Sequence, residues 1–187
     1  MKVVSSANLV ARFEATWTDD QIQSHFAAAR SIDALMTEVF PEIGRRVRNG
    51  GTTEFEIQQW LVEGFRREGL TADSPPIVAV NQNSSDPHYV PTRDHCAPIR
   101  EGDVVLLDVW GKLNQPHSVY YDISWTGFVG QSAPARVLEI FDIVRRSRDA
   151  AIQKVTAGIA STKKLCGWEV DKAARDVLAA EGYAQSK

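Results

Sequence analysis

The sequence predicts an α+β fold, and three observations carry that expectation. Apolar residues recur at helical spacing from Thr18 to Asn49 and again from Thr53 to Gly69. After Asp73 the texture changes to short apolar runs bounded by turn residues, the pattern of strands. From Pro134 onward helical spacing returns, so helices and strands are grouped along the chain and do not alternate.

The first helix begins near Thr18, with Ile22, Phe26, Ala29, Ile32, Leu35, Met36, Val39, Ile43 and Val47 as its apolar face. Asn49-Gly50-Gly51 ends it, and Pro41 within it is expected to kink or split the run. Residues 1–17 ahead of it read as an N-terminal extension. Thr53-x-x-Glu56 is a capping box that opens a second helix, with Ile57, Trp60, Leu61, Val62 and Phe65 inward and Gly69 at its end.

Pro75 to Val80 reads as a buried strand and Asn81 to Pro91 as an irregular loop. Val104 to Val109 is a second strand, apolar nearly throughout. Asn114 to His117 forms a turn, and Ser118 to Val129 returns beside it. Pro134 suits the first position of a third helix, with Val137, Ile140, Phe141, Val144, Ile152 and Val155 inward. A fourth helix spans Glu169 to Glu181 on a stripe of Val170, Ala173, Ala174, Val177 and Leu178. Glu54-Phe55-Glu56 and Glu169-Val170-Asp171 open the second and fourth helices alike. After the second come strands; after the fourth come only Ala184 to Lys187. The repeat therefore calls for a second set of strands beyond this sequence.

Composition narrows the function. A chain of 187 residues holds one domain with a real core, and 43% apolar residues supply it. A net charge of −3 with no basic block argues against nucleic acid or an anionic membrane as partner. No apolar run approaches the ~18 residues of a membrane span, and the N-terminus has no signal-type apolar core. Cys96 and Cys166 are too few for a disulfide framework or a cysteine zinc site, so reduced thiols in the cytoplasm are expected.

Three residues are candidates for chemistry. Asp108 ends an apolar strand, where a carboxylate is costly to bury without a partner. Asp122 stands on the returning strand, and two carboxylates on facing strands can meet across the hairpin. Their repulsion would be relieved by a divalent cation; otherwise Asp122 is simply exposed and Asp108 caps a turn. His88, in Asp86-Pro87-His88-Tyr89, has a side chain suited to proton transfer near neutrality, or else packs a loop. Trp110 and Trp125 flank the aspartates, as core packing or as pocket walls.

At these residues the sequence resembles the M24 metallopeptidase superfamily of aminopeptidase P, prolidase and methionine aminopeptidase. The segments are Pro76 to Asn83 with Pro87-His88-Tyr89, Gly102 to Asp108, Tyr121 to Gly130, and Gly167-Trp168-Glu169-Val170-Asp171 with Ala173-Ala174-Arg175. They occur in the family's order from about Thr18 to Tyr183. The resemblance implies a partial pita-bread (creatinase/aminopeptidase-like) domain over 18–187, with the last strands of its second half missing. It implies a site for two divalent metal ions (manganese, cobalt or zinc) to which Asp108 and Asp122 contribute, and His88 as a histidine that assists proton transfer. The remaining histidine and two glutamate ligands would follow Tyr183. Trp110 stands where glycine is usual, Trp125 where arginine is usual, and the hairpin between the aspartates is longer.

The activity so implied is metal-dependent hydrolysis of the N-terminal bond of a peptide substrate, of the Xaa-Pro aminopeptidase or dipeptidase kind. The chain as written is expected to be weakly active or inactive, and either to self-associate across an unpaired sheet edge or to be poorly stable unless a partner chain supplies the missing half. The alternatives are a non-catalytic pita-bread domain that binds a peptide or protein, and a structural fragment.

Overall fold

A computed structural model describes residues 5–162 and 164–183; the first four residues of the extension and the tail 184–187 lie outside them. They divide into two compact units, one ending at Gln131 and the other beginning at Ser132.

In the first unit the N-terminal extension holds a short helix, α1 (Ala7–Glu14), that sequence spacing did not reveal. The long helix α2 (Asp19–Arg48) opens on a capping box: Gln21 N donates to Thr18 Oγ1, and Thr18 N donates to Gln21 Oε1. Ile32, Leu35, Met36, Val39 and Ile43 are buried, each stabilising the fold by about 1.5–3 kcal/mol. The structure differs from expectation at Phe26 and decides against a split at Pro41. Phe26 is exposed, because at that turn Ala28 and His25 face the protein, and His25 Nδ1 lies 2.7 Å from Tyr120 O. Pro41 does not split the helix. It and Thr37, whose carbonyl loses its helical donor, both lie on the solvent side, where water can serve that carbonyl.

β1 (Thr52–Thr53) leads into α3 (Glu54–Arg67), whose capping box is the predicted one, Glu56 N to Thr53 Oγ1 at 3.2 Å. β2 (Leu70–Thr71) and β3 (Ile77–Val80) follow, then a 3-10 turn over Asn81–Ser85 and β4 (Pro98–Ile99), which pairs with β1. β5 (Val104–Leu113) is the central strand, antiparallel to β2 and β3 on one side and to β6 (Tyr121–Phe128) on the other.

Strand alternation sorts this sheet into two faces. Val78, Val80, Val105, Leu107 and Val109 point one way and join α2 and α3 in the core. Gly111 lies on that face, where a Cβ would come within 2.7 Å of the Phe65 ring. The other face carries Ile77, Ala79, Asp108 and Trp110 and is the one of functional interest.

The second unit is a helix pair, α4 (Ala135–Ala160) and α5 (Gly167–Ala180). The α5 stripe is half-buried as expected. In the α4 stripe Val137 and Ile140 are half-buried, but Phe141, Val144, Ile152 and Val155 are exposed, and Ile143, Ser147 and Gly158 are buried instead. Ser147 Oγ donates to Ala174 O at 2.9 Å, which sets the face that α4 turns to α5. Among the described residues no helix is long and apolar enough to cross a membrane.

Candidate metal site

Asp108 and Asp122 stand on neighbouring strands and on the same face, but they are not directly opposed. Asp108 is in register with Ser124, and Asp122 with Trp110, so the two carboxylates form a diagonal pair. Diagonal side chains on an antiparallel ladder are about 7–8 Å apart at Cα, within reach of a shared cation. The backbone register achieves this because Asp108 lies directly opposite Ser124 and Asp122 is two residues from Ser124, and opposed pairs and even steps share one face.

The electrostatics of the pair are those of an unrelieved conflict. Ser124 Oγ donates to Asp108 Oδ1 at 2.6 Å, so one carboxylate is oriented. Asp122 accepts no such bond among the described residues. Its carboxyl pKa is pushed up from the ordinary aspartate value, first by partial dehydration on the sheet and then by the Asp108 charge. The residue as a whole remains exposed.

The segment bearing His88 belongs to this face. Tyr89 packs on Ile77 and Ala79, whose register partners are Asp108 and Leu106. His88 itself is exposed, and its backbone N–H is held by Asp86 Oδ1 at 2.9 Å. The two tryptophans separate. Trp110 shares the aspartate face and donates its indole N–H to Asp73 Oδ1 at 2.8 Å, holding that carboxyl below the usual range. Trp125 is one step out of phase: paired with Leu107, it points to the α2 side and stacks on Phe40 at 6.4 Å. It cannot wall a pocket with the aspartates.

These residues fit a divalent metal in part. Two carboxylates on one face supply hard oxygen donors, and the Asp108 charge, second to dehydration among the causes that raise the Asp122 pKa, is a repulsion a cation would remove. Among the described residues, no group of three or more His, Cys, Asp or Glu side chains is assembled for a metal.

Sequence reasoning missed one residue here. Glu54, read only as the start of a helix, is fully buried and accepts four hydrogen bonds around the loop that contains His88. An acid directly after an N-cap threonine was the visible signal, but such residues are usually solvated.

Comparison with known proteins gives the family and the fold. The family described as metallopeptidase family M24 matches residues 23–187. A Mycoplasma pneumoniae protein named "Putative Xaa-Pro aminopeptidase" is 28% identical over 165 residues, covering 87% of this chain and 43% of that protein. The X-Pro aminopeptidase structure from Thermotoga maritima superposes with a TM-score of 0.73 at 22% identity, covering 94% of this chain and 45% of that one. A Caenorhabditis elegans X-prolyl aminopeptidase, described as a cytosolic enzyme with a di-nuclear active site, gives 0.66 at 19% identity. It covers 93% of this chain and 28% of that one. The fold is therefore the pita-bread fold, and the chain spans less than half the length of each of these relatives.

Proposed function

The chain belongs to metallopeptidase family M24, and on that premise we propose that it carries part of the site of a metal-dependent exopeptidase acting on N-terminal peptide bonds. The substrate class proposed is the Xaa-Pro peptide, after the names of its relatives. Asp108 and Asp122 are the proposed metal ligands and His88 the proposed proton-transfer residue. The observation that supports the reading is the diagonal placement of the two aspartates on one sheet face with the pKa of Asp122 raised.

When bound, a metal pair would supply an acidified water and polarise the scissile carbonyl. The part of this chain's own residues is narrower. Asp108, oriented by Ser124, and Asp122 would hold the cations. His88, which directly precedes the Tyr89 packed on Ile77 and Ala79, would donate a proton or hydrogen bond to the reacting amide. Trp110, tied to Asp73, stands in register with Asp122 on the same face.

Calorimetric titration of manganese or cobalt into the full chain tests the reading. Two carboxylates without a third donor among the described residues predict weak, saturable binding, abolished by Asp108→Ala. Binding that is identical in wild type and Asp108→Ala would overturn it. Tight uptake of two metals, with turnover of Xaa-Pro peptides lost in Asp108→Ala, would show a site completed by further ligands.

A further inference from the structure

Glu54 is fully buried, and a carboxylate in that position is costly unless its oxygens are satisfied. It forms no salt bridge among the described residues. Instead its oxygens accept four hydrogen bonds. Oε1 takes Val80 N at 2.7 Å and Asn83 Nδ2 at 2.9 Å; Oε2 takes Ala97 N at 2.6 Å and the Tyr89 hydroxyl. Its own N–H donates to Ala97 O at 3.0 Å. Its place in the first turn of α3 adds the favourable end of the helix dipole.

The four donors are not scattered. Val80 and Ala97 are the two ends of the connection from β3 to β4, and Asn83 and Tyr89 lie inside it. One carboxylate thus closes the base of this loop and pins its middle. The same helix adds a cation–π contact of Arg93 over Phe55 at 5.7 Å and a bond from Gln58 Nε2 to Pro76 O at 3.0 Å. Tyr89, anchored through its hydroxyl, lays its ring on Ile77 and Ala79, and His88 precedes it directly. The hydroxyl's own pKa is driven up, by burial first and by Glu54 next.

We infer that Glu54 is a positioning residue for His88: by clamping Val80, Asn83, Tyr89 and Ala97 it fixes the His88 segment on the sheet face that carries Asp108 and Asp122. The role of His88 rests on the function proposed above; the clamp does not. The carboxylate is specific to the task. Glutamine offers a single acceptor oxygen and would turn an N–H₂ toward two of the donors, and aspartate is one methylene too short.

The test uses Glu54→Gln and Tyr89→Phe in the full chain. Glu54→Gln should raise amide hydrogen exchange across residues 80–97 by at least about tenfold, and Tyr89→Phe by a smaller factor, while α2 and β5 keep their protection. The His88 ring resonances in NMR spectra should shift in both variants and those of His117 should not. If Glu54→Gln does not fold, Tyr89→Phe decides alone. Unchanged exchange across 80–97, or unchanged His88 resonances, overturns the inference.

Where Asp108-dependent peptide turnover is found, Tyr89→Phe should lower kcat about three- to tenfold with KM unchanged, and have no further effect in His88→Ala. Equal effects in both backgrounds would also overturn it. A clamp seen by exchange and NMR in a chain whose metal binding ignores Asp108 would keep the positioning role and remove the peptidase reading.

Discussion

Ser124 donates a 2.6 Å hydrogen bond to Asp108 from the position directly opposite it on the next strand. The bond occupies one lone pair of one oxygen and leaves the others free, so it orients the carboxylate without consuming it. Partners of this kind typically matter 10–100-fold for metal affinity. Ser124→Ala should weaken manganese or cobalt binding by about tenfold, with a stability change within about 1 kcal/mol. Calorimetry and thermal melts measure both. An unaltered affinity would mean that Asp108 is oriented by something else.

Asp122 makes a prediction with a definite sign in pH. Its folded pKa is raised, by dehydration first and Asp108 second, so the ionised form disfavours the folded state. The stability its protonated form contributes is complete below the unfolded aspartate value, about 3.9, and is lost as pH rises through the folded pKa. Asp122→Asn should therefore raise the Tm at neutral pH in metal-free buffer. The gain should vanish in acid. A variant that melts below wild type at pH 7 would show that the ionised carboxylate is stabilised in the fold.

The opposite sign is expected at Glu42, on α2. Arg45 Nε at 2.7 Å and Arg46 Nε at 2.7 Å hold its carboxyl at a pKa of about 2, the Arg45 hydrogen bond being the largest cause. A lowered folded pKa contributes stability above the unfolded value, and that contribution is lost as pH falls toward 2. Glu42→Gln should cost about 1 kcal/mol at pH 7, the scale of a surface ion-pair network, and progressively less as pH falls through about 2. Urea melts across that range measure it. A pH-independent cost would assign the effect to helix packing.

Gly111 tests the packing beneath the site. A Cβ there would lie 2.7 Å from Phe65 Cε2 and 3.4 Å from Ile32 Cδ1, and the Phe65 ring is buried with little room to turn. Gly111→Ala should destabilise by about 1–3 kcal/mol, as overpacked cores do. Pairing it with Phe65→Leu should recover part of the loss. Additive losses in the double variant would place the strain elsewhere.

The helical stripe from Ile32 to Ile43, the capping box of Thr53 and Glu56, and the strands around Asp108 and Asp122 were legible in the sequence. Each is written in a window of a few turns or one hairpin, where side-chain periodicity and backbone hydrogen bonding coincide. The sequence by itself thus determined the longer elements, their order and the hairpin shared by Asp108 and Asp122, while α1 and the two-residue strands were not written in it. Tertiary structure decided what spacing cannot encode. The register made the aspartates a diagonal pair and sent Trp125 to the face opposite Trp110. Packing left Phe26 and much of the α4 stripe exposed, and solvent on its outer side let α2 run through Pro41. The Glu54 clamp joins partners 26, 29, 35 and 43 positions away. A buried carboxylate needs donors from wherever the fold brings them, and only the folded chain brings these four together.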